Sequence, residues 1–231
     1  MIPATTPRTV ITVDGLAGSG KTSLSRALAR SIGFAHLNSG LLYRGVGWLC
    51  LKSGIDLDNE REVELVLKSH TVVLRGEGEL IVDGIERASE LTAPEVSEAT
   101  SKTSRFPVVR AFLLAAQREA FPGKGLVAEG RDMGTVVFPD APIKFFVTAS
   151  VEVRVQRRLA QLQAATGTVI DEAAIRREII ERDDRDTHRA VSPTRGAPDA
   201  IGVDNSEKSM EAIVASMAER VGGILVSAPP K

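Results

Sequence analysis

The stretch Gly15-Leu16-Ala17-Gly18-Ser19-Gly20-Lys21-Thr22 constrains this chain more than any other. It has the spacing G-x-x-x-x-G-K-T, with a β-branched run at 10–13 before it and Leu24, Leu28 and Ile32 recurring at intervals of four after it. Strand, glycine-rich turn, helix is the context that gives this spacing physical meaning. The glycines let the backbone curl so that successive N–H groups point inward at a helix N-terminus, where the dipole adds roughly half a positive charge. A phosphate fits such a nest. Lys21 is expected to reach the β and γ phosphates of a nucleoside triphosphate, and the Thr22 hydroxyl to hold Mg2+. A dinucleotide-binding loop is disfavoured, because Ser23 stands where the third glycine would lie. The donor-binding residues expected are therefore Gly15, Leu16, Ala17, Gly18, Ser19, Gly20, Lys21, Thr22 and Ser23, with ATP or GTP as ligand.

Composition narrows the partners. With 29 Lys and Arg against 30 Asp and Glu the net charge is -1, so nothing supports global attraction to DNA, RNA or an acidic membrane. No apolar run approaches the ~18 residues needed to span a bilayer, and the first nine residues lack the apolar core of a secretory signal. The single cysteine, Cys50, lies in an apolar stretch and reads as a buried small hydrophobe, which fits a reducing, cytoplasmic setting. A chain of 231 residues is expected to form one α/β body with small appendages.

Periodicity places the remaining elements. A second helix runs from Asn38 or Ser39 to about Lys52, a third over 60–68, and strand-like runs at 71–74 and 80–82 read as a hairpin in a small insert. Helices follow over 94–104 and 107–121. Apolar runs at 126–128 and 143–147 suit strands buried on both faces of a parallel sheet. Ser150 and Asp171 are N-cap candidates for two further helices, and a strand at 201–203 and a helix over 208–221 close the chain. Strands alternating with helices predict a parallel sheet covered on both sides, the three-layer α/β/α arrangement of P-loop NTPases.

A phosphate site of this kind can serve a switch, a motor or a small-molecule kinase. The N-K-x-D element that reads guanine does not occur. Instead Arg154, Arg157, Arg158, Arg176, Arg177, Arg182, Arg185, Arg189 and Arg195 crowd one stretch. Surface ion pairing is the usual fate of such runs. Within 182–189, however, Arg182, Arg185 and Arg189 are spaced to share one helix side, as a flap closing on transferring phosphates requires. A lid would also exclude water and prevent wasteful hydrolysis. An anionic phosphate acceptor needs no general base, so His36, His70 and His188 receive no catalytic role.

Four segments taken together resemble the bacterial cytidylate kinase family: the glycine-rich loop with 38–44 (NSGLLYR), 105–110 (RFPVVR), 129–141 (EGRDMGTVVFPDA) and 181–186 (ERDDRD). The resemblance runs from about Val10 to Met217. It implies transfer of the γ-phosphoryl group of ATP to CMP or dCMP with Mg2+, in a nucleoside-monophosphate kinase fold. A core (9–37, 122–153 and 191–226) would carry a monophosphate-binding part (38–121) and an arginine-rich helical lid (154–190), after a disordered tail (1–8). The enzyme would be a monomer. Position by position, the resemblance assigns Ser39, Tyr43, Arg44 and Arg131 to the acceptor nucleotide, and Ser101, Arg110 and Asp132 to its cytosine. Arg182, Asp186 and Arg189 would meet ribose or phosphates as the lid closes. Lys21, Arg131, Arg182 and Arg185 would carry the chemistry, Arg157 would join the ATP residues, and the loop 204–207 would lie near the adenine. One departure is Asn38, where many family members have Asp; Glu129 is an acidic candidate to compensate for the lost charge.

The cytosine assignment has its own chemical logic. A carboxylate beside the C4 amino group and an arginine beside N3 and O2 would satisfy every edge atom of cytosine. Uracil reverses the polarity at C4 and N3 and would leave those buried charges unpaired. Two other readings compete: a P-loop kinase for UMP or another small acceptor, and a nucleotide-binding regulator without transfer chemistry.

Overall fold

The computed structural model describes residues 8–75, 78–87, 89–123, 125–167 and 170–227. Residues 1–7 of the tail expected at 1–8 and part of the connection inside the expected hairpin (76–77) lie outside these residues. The chain divides into two compact units, one comprising Arg8 and Ala35–Leu126, the other Thr9–Phe34 with the chain from Val127 onward.

The second unit is the α/β part. Strand β1 (Val10–Gly15) is buried at every position, as its continuous apolar character predicts. Helix α1 (Lys21–Ile32) starts after Gly20, whose φ of 83° is left-handed, and stops at Gly33, whose N–H caps the carbonyls of Ala29 and Arg30. Leu24 and Leu28 form its buried stripe. Further along the chain come β6 (Leu126–Gly130), β7 (Ile143–Thr148) and β8 (Ile201–Asp204), and the strands of this unit stand in the order β6-β1-β7-β8. β7 pairs in parallel with β1, Ile11 opposite Ile143 and Gly15 opposite Val147, and β8 extends the sheet with Ile201 opposite Phe145. Parallel neighbours so far apart in sequence require helical crossovers. Helix α8 (Met210–Ser227) starts later and runs further than periodicity suggests, and packs Ile213, Met217 and Val221 with Leu24, Leu28 and Phe145.

Two helices carry the arginine-rich stretch. α6 (Val151–Thr166) is capped by the Ser150 hydroxyl, which accepts from the Val153 N–H, and α7 (Glu172–His188) by Asp171, which accepts from Ala173. They join through a small cluster of their own, Val155, Leu159, Ile175 and Ile179.

The first unit holds β2 (Ala35–Asn38), α2 (Ser39–Lys52), α3 (Glu60–Lys68), α4 (Pro94–Thr103) and α5 (Pro107–Glu119). The expected hairpin is a three-stranded antiparallel sheet. β3 (Val72–Arg75) pairs with β4 (Glu79–Val82), and a two-residue turn at Asp83 and Gly84, both with positive φ, adds β5 (Ile85–Glu86). Leu42, Val46, Leu49, Leu80, Val109 and Leu113 form the core. Cys50 is fully buried within it, and burial pushes its thiol up to about 11, which bears out the reading of an inert hydrophobe. Arg8 donates to the carbonyls of Arg118, Ala120 and Phe121 and so closes the end of α5. Among the described residues no helix is long and apolar enough to cross a membrane.

Candidate active site

The glycine-rich loop of the second unit is braced from behind. Asn205, only 6% exposed, donates Nδ2 to the Ser19 carbonyl at 2.7 Å. Arg157 spans the same carbonyl (3.4 Å) and that of Asn205 (2.8 Å). Arg154 on α6 donates Nη1 to the Ala17 carbonyl at 3.2 Å. Turning these carbonyls outward leaves the loop's N–H groups for an anion. Gly20 could be nothing else: beyond its left-handed φ, a Cβ there would lie 2.4 Å from Asn205 Nδ2.

Lys21 is buried, with Nζ 3.3 Å from the Leu16 carbonyl. Burial pulls its ammonium down to about 7, and Arg131 and Arg182 pull the same way while Glu129 and Asp186 oppose them. The electrostatic neighbours of Lys21 are therefore the residues expected from the end of β6 and from α7. Asp186 organises them. Its Oδ2 accepts from Arg131 Nε at 3.2 Å, and Arg189 Nη1 lies 3.9 Å from its Oδ1. Burial works against the Asp186 charge, but Arg131, Arg182 and Arg189 together hold its carboxyl below the usual range. Three guanidinium groups and an ammonium gathered around one carboxylate leave an excess of positive charge beside the loop, which suits a polyanion.

Two details of α7 depart from expectation. Arg189 is not on the helix: α7 ends at His188, and Arg189 is extended, with Nε on the Ser192 carbonyl. Arg185 is exposed while Asp186 is buried, so the helix side facing the cluster is that of Arg182 and Asp186, and Arg189 reaches Asp186 from beyond the helix end. The i, i+3, i+7 spacing alone favours a common face for all three arginines, but the helix end at His188 and the burial of Asp186 decide otherwise.

Thr22 and Ser25 both donate to Glu129, Oγ1 to Oε1 and Oγ to Oε2, each at 2.9 Å. Among the described residues no group of three or more His, Cys, Asp and Glu side chains could hold a metal by itself. A hydroxyl beside one buried carboxylate is nonetheless the oxygen-only set that suits Mg2+, which keeps waters and takes most of its remaining ligands from phosphates. Asp132 is 2% exposed at the start of a single wide helical turn, Met133–Val137, in which the N–H groups of Val136 and Val137 return to the Asp132 carbonyl at 2.9 and 3.2 Å.

In the first unit, Ser39 at the start of α2 is buried, and Tyr43 one turn on is 9% exposed. Arg44 donates Nη1 to the Leu91 carbonyl (2.7 Å) and to Ser97 Oγ (2.9 Å). Arg110 donates to the Ser104 carbonyl at 3.0 Å, its guanidinium 5.4 Å from the Tyr43 ring centre. Ser101 Oγ is buried with no hydrogen-bond partner among the described residues, an orphan that a polar ligand atom would satisfy. Ser39, Tyr43, Arg44, Ser101 and Arg110 belong to this unit, and Lys21, Thr22, Arg131, Asp132, Arg157, Arg182, Asp186 and Arg189 to the other.

Sequence reasoning passed over three residues. Arg154 was only one of the crowded arginines, yet it is 2% exposed and ties Ala17 to Asp183 of α7. Asn205 was only part of a loop. Asp14 closed a strand. An acid or amide at the C-terminal end of a strand in the phosphate-loop sheet is the signal that would have found the latter two.

A sequence model of the family described as cytidylate kinase matches residues 11–222. The cytidylate kinase of Pseudomonas aeruginosa (strain LESB58) is 43% identical over 211 residues, covering 89% of this chain and 91% of that protein. The cytidylate kinase of Stutzerimonas stutzeri (strain A1501) is 41% identical over 221 residues, covering 93% and 96%.

Proposed function

The chain belongs to the cytidylate kinase family, and from that premise we propose that it transfers the γ-phosphoryl group of ATP to CMP and dCMP, giving CDP or dCDP and ADP. The observation that carries the reading is the gathering of Lys21, Arg131, Arg182 and Arg189 around Asp186 beside the phosphate loop. Charge in phosphoryl transfer spreads over the γ-phosphoryl oxygens, and positioned cations stabilise it where water is excluded. Lys21 and Arg182 would take the donor side of that charge, with Arg185 brought to it by movement of α7. Arg131, with Arg44, would bind the acceptor phosphate. Release of Asp186 from its arginines as phosphates arrive would free it for the ribose.

Gly15 to Ser23 would hold the ATP phosphates, and Arg157 and the loop 204–207 the nucleoside end. Thr22, with Glu129 behind it, would hold Mg2+, which when bound neutralises the donor phosphates. Ser39 and Tyr43 would contact the acceptor nucleotide, and Ser101, Arg110 and Asp132 its cytosine edge; the orphaned Ser101 hydroxyl supports this. The acceptor oxygen is already anionic, so no proton need be removed before attack. We further propose a monomer working in the cytoplasm, a reducing compartment in keeping with the buried Cys50 thiol. The division into core (9–37, 122–153, 191–226), monophosphate-binding part (38–121) and lid (154–190) belongs to the same proposal.

The test is ADP release with CMP, dCMP, UMP, AMP, GMP and dTMP as acceptors. Turnover with CMP and dCMP well above all others is expected. Preference for UMP or another acceptor would overturn the assignment, and tight ATP binding with no acceptor-dependent turnover would make the chain a regulator instead.

A further inference from the structure

Asp14 takes no part in the reaction proposed above, yet it is 3% exposed and stands directly before the phosphate loop. Both its carboxylate oxygens are used: Oδ1 accepts the N–H of Met133 at 2.8 Å, and Oδ2 that of Gly134 at 2.8 Å. These are the first two N–H groups of the Met133–Val137 turn, which the turn itself cannot satisfy. The turn is wide, with the Phe138 N–H returning five residues to Met133 at 2.7 Å. β1 is pressed against it: a Cβ at Gly134 would lie 2.7 Å from Thr12 Oγ1 and 3.4 Å from Asp14 Oδ2, and only glycine leaves room for that approach.

A carboxylate here is expensive. Burial, with the charge of Asp132 adding to it, outweighs the two N–H bonds and Arg131 and leaves the carboxyl raised to about 6. Asparagine would remove the charge but offers a single acceptor oxygen and would turn its NH2 toward the second N–H. Two donors converging on one side chain therefore demand a carboxylate.

The turn begins immediately after Arg131 and Asp132. We propose that Asp14 is a positioning residue for acceptor selection: by holding the Met133 and Gly134 N–H groups it fixes the backbone from which Asp132 is presented to the acceptor base. The inference rests on the cytidylate kinase reading and deepens it. Since Gly15 follows Asp14 directly, the donor loop and the base-selecting turn hang from one point of β1.

The test is Asp14→Asn in the full chain, with kcat, KM for ATP, CMP and UMP, and Tm measured beside wild type. KM for CMP should rise about tenfold and the preference for CMP over UMP fall about tenfold, with KM for ATP changing less than about threefold. In combination with Asp132→Ala, Asp14→Asn should remove little further preference, because both substitutions act through one contact. Unchanged preference, equal losses on both acceptors, or losses that multiply in the double variant would overturn the proposal. If Asp14→Asn fails to fold, amide exchange in the wild-type chain decides. Met133 and Gly134 should exchange as slowly as the β1 amides, and exchange at exposed-loop rates would overturn the clamp. Wild type without CMP-dependent ADP release would sink the kinase reading and this proposal with it, whereas a selective wild type beside an equally selective Asp14→Asn variant sinks the proposal alone.

Discussion

Lys21 and the arginines around Asp186 differ in how far burial amplifies their charge. Lys21 is nearly inaccessible and already drawn down to about 7, so an arriving triphosphate meets an ammonium stripped of water, where each interaction counts for more than at the surface. Lys21→Ala should lower kcat by about 10²- to 10³-fold, as loss of one preorganised donor to transition-state charge does, while the chain still folds. Near-normal kcat would contradict the role. Arg182 and Arg185 separate by the same logic. Arg182 acts on Lys21 and Asp186, whereas Arg185 is exposed. Arg182→Ala should therefore cost at least about 100-fold in kcat/KM, and Arg185→Ala less than about tenfold. Equal losses would mean that Arg185, once α7 has moved, carries as much of the transition-state charge as Arg182.

Between elements, the contact that ties the arginine-rich helix to the phosphate loop is Arg154. It donates Nε to the Ala149 carbonyl at 3.1 Å, and Nη1 both to Ala17 and to Asp183 Oδ2, the latter at 2.5 Å. α6 thus fixes the loop and one side of α7 through a single side chain. Asp183→Ala would leave the guanidinium buried and unpaired, at about 3 to 5 kcal/mol for a pair this enclosed. Its Tm should fall by several degrees, and Arg154→Met in the same chain should restore part of it; a Tm unchanged by Asp183→Ala would show the pair to be dispensable. None of this was legible in the sequence, where Arg154 is one arginine among nine, because its partners come from a loop and a helix far away in the chain. The strands and helices were legible, since Leu24, Leu28, Ile143 and Phe145 carry their period on their faces. The wide turn at Met133–Val137 was not: Thr135, Val136 and Val137 are β-formers, and what holds the start of the turn is the Asp14 carboxylate, 119 residues from Met133. β5 was missed because two residues carry no period, though Asp83-Gly84 marked the turn before it.

Across the whole molecule the charges nearly cancel, at 29 against 30, yet the site concentrates cations in one unit and pays for doing so in the unliganded state. The sign follows from the Lys21 shift. Its folded value, about 7, lies below the ordinary 10.5, so between these pH values the unfolded chain binds more protons and stability rises with pH. Below about 7 the full penalty stands, and above 10.5 it is gone. Removing the charge should therefore stabilise the free protein in neutral and mildly acidic solution, as functional sites commonly trade stability for activity. Lys21→Met should melt above wild type at pH 6.5, by roughly 2 to 4 °C for each kcal/mol relieved in a chain of this size, with the gap narrowing steadily toward pH 10. Mg-ATP should reverse the order at pH 6.5, since the triphosphate supplies the anion that Lys21 lacks and binds the variant weakly. Melting curves for the two proteins at pH 6.5, 8 and 9.5, with and without nucleotide, read this directly. A gap independent of pH would mean that Lys21 holds its ordinary charge at no cost, and that the site is more open to water than its burial implies.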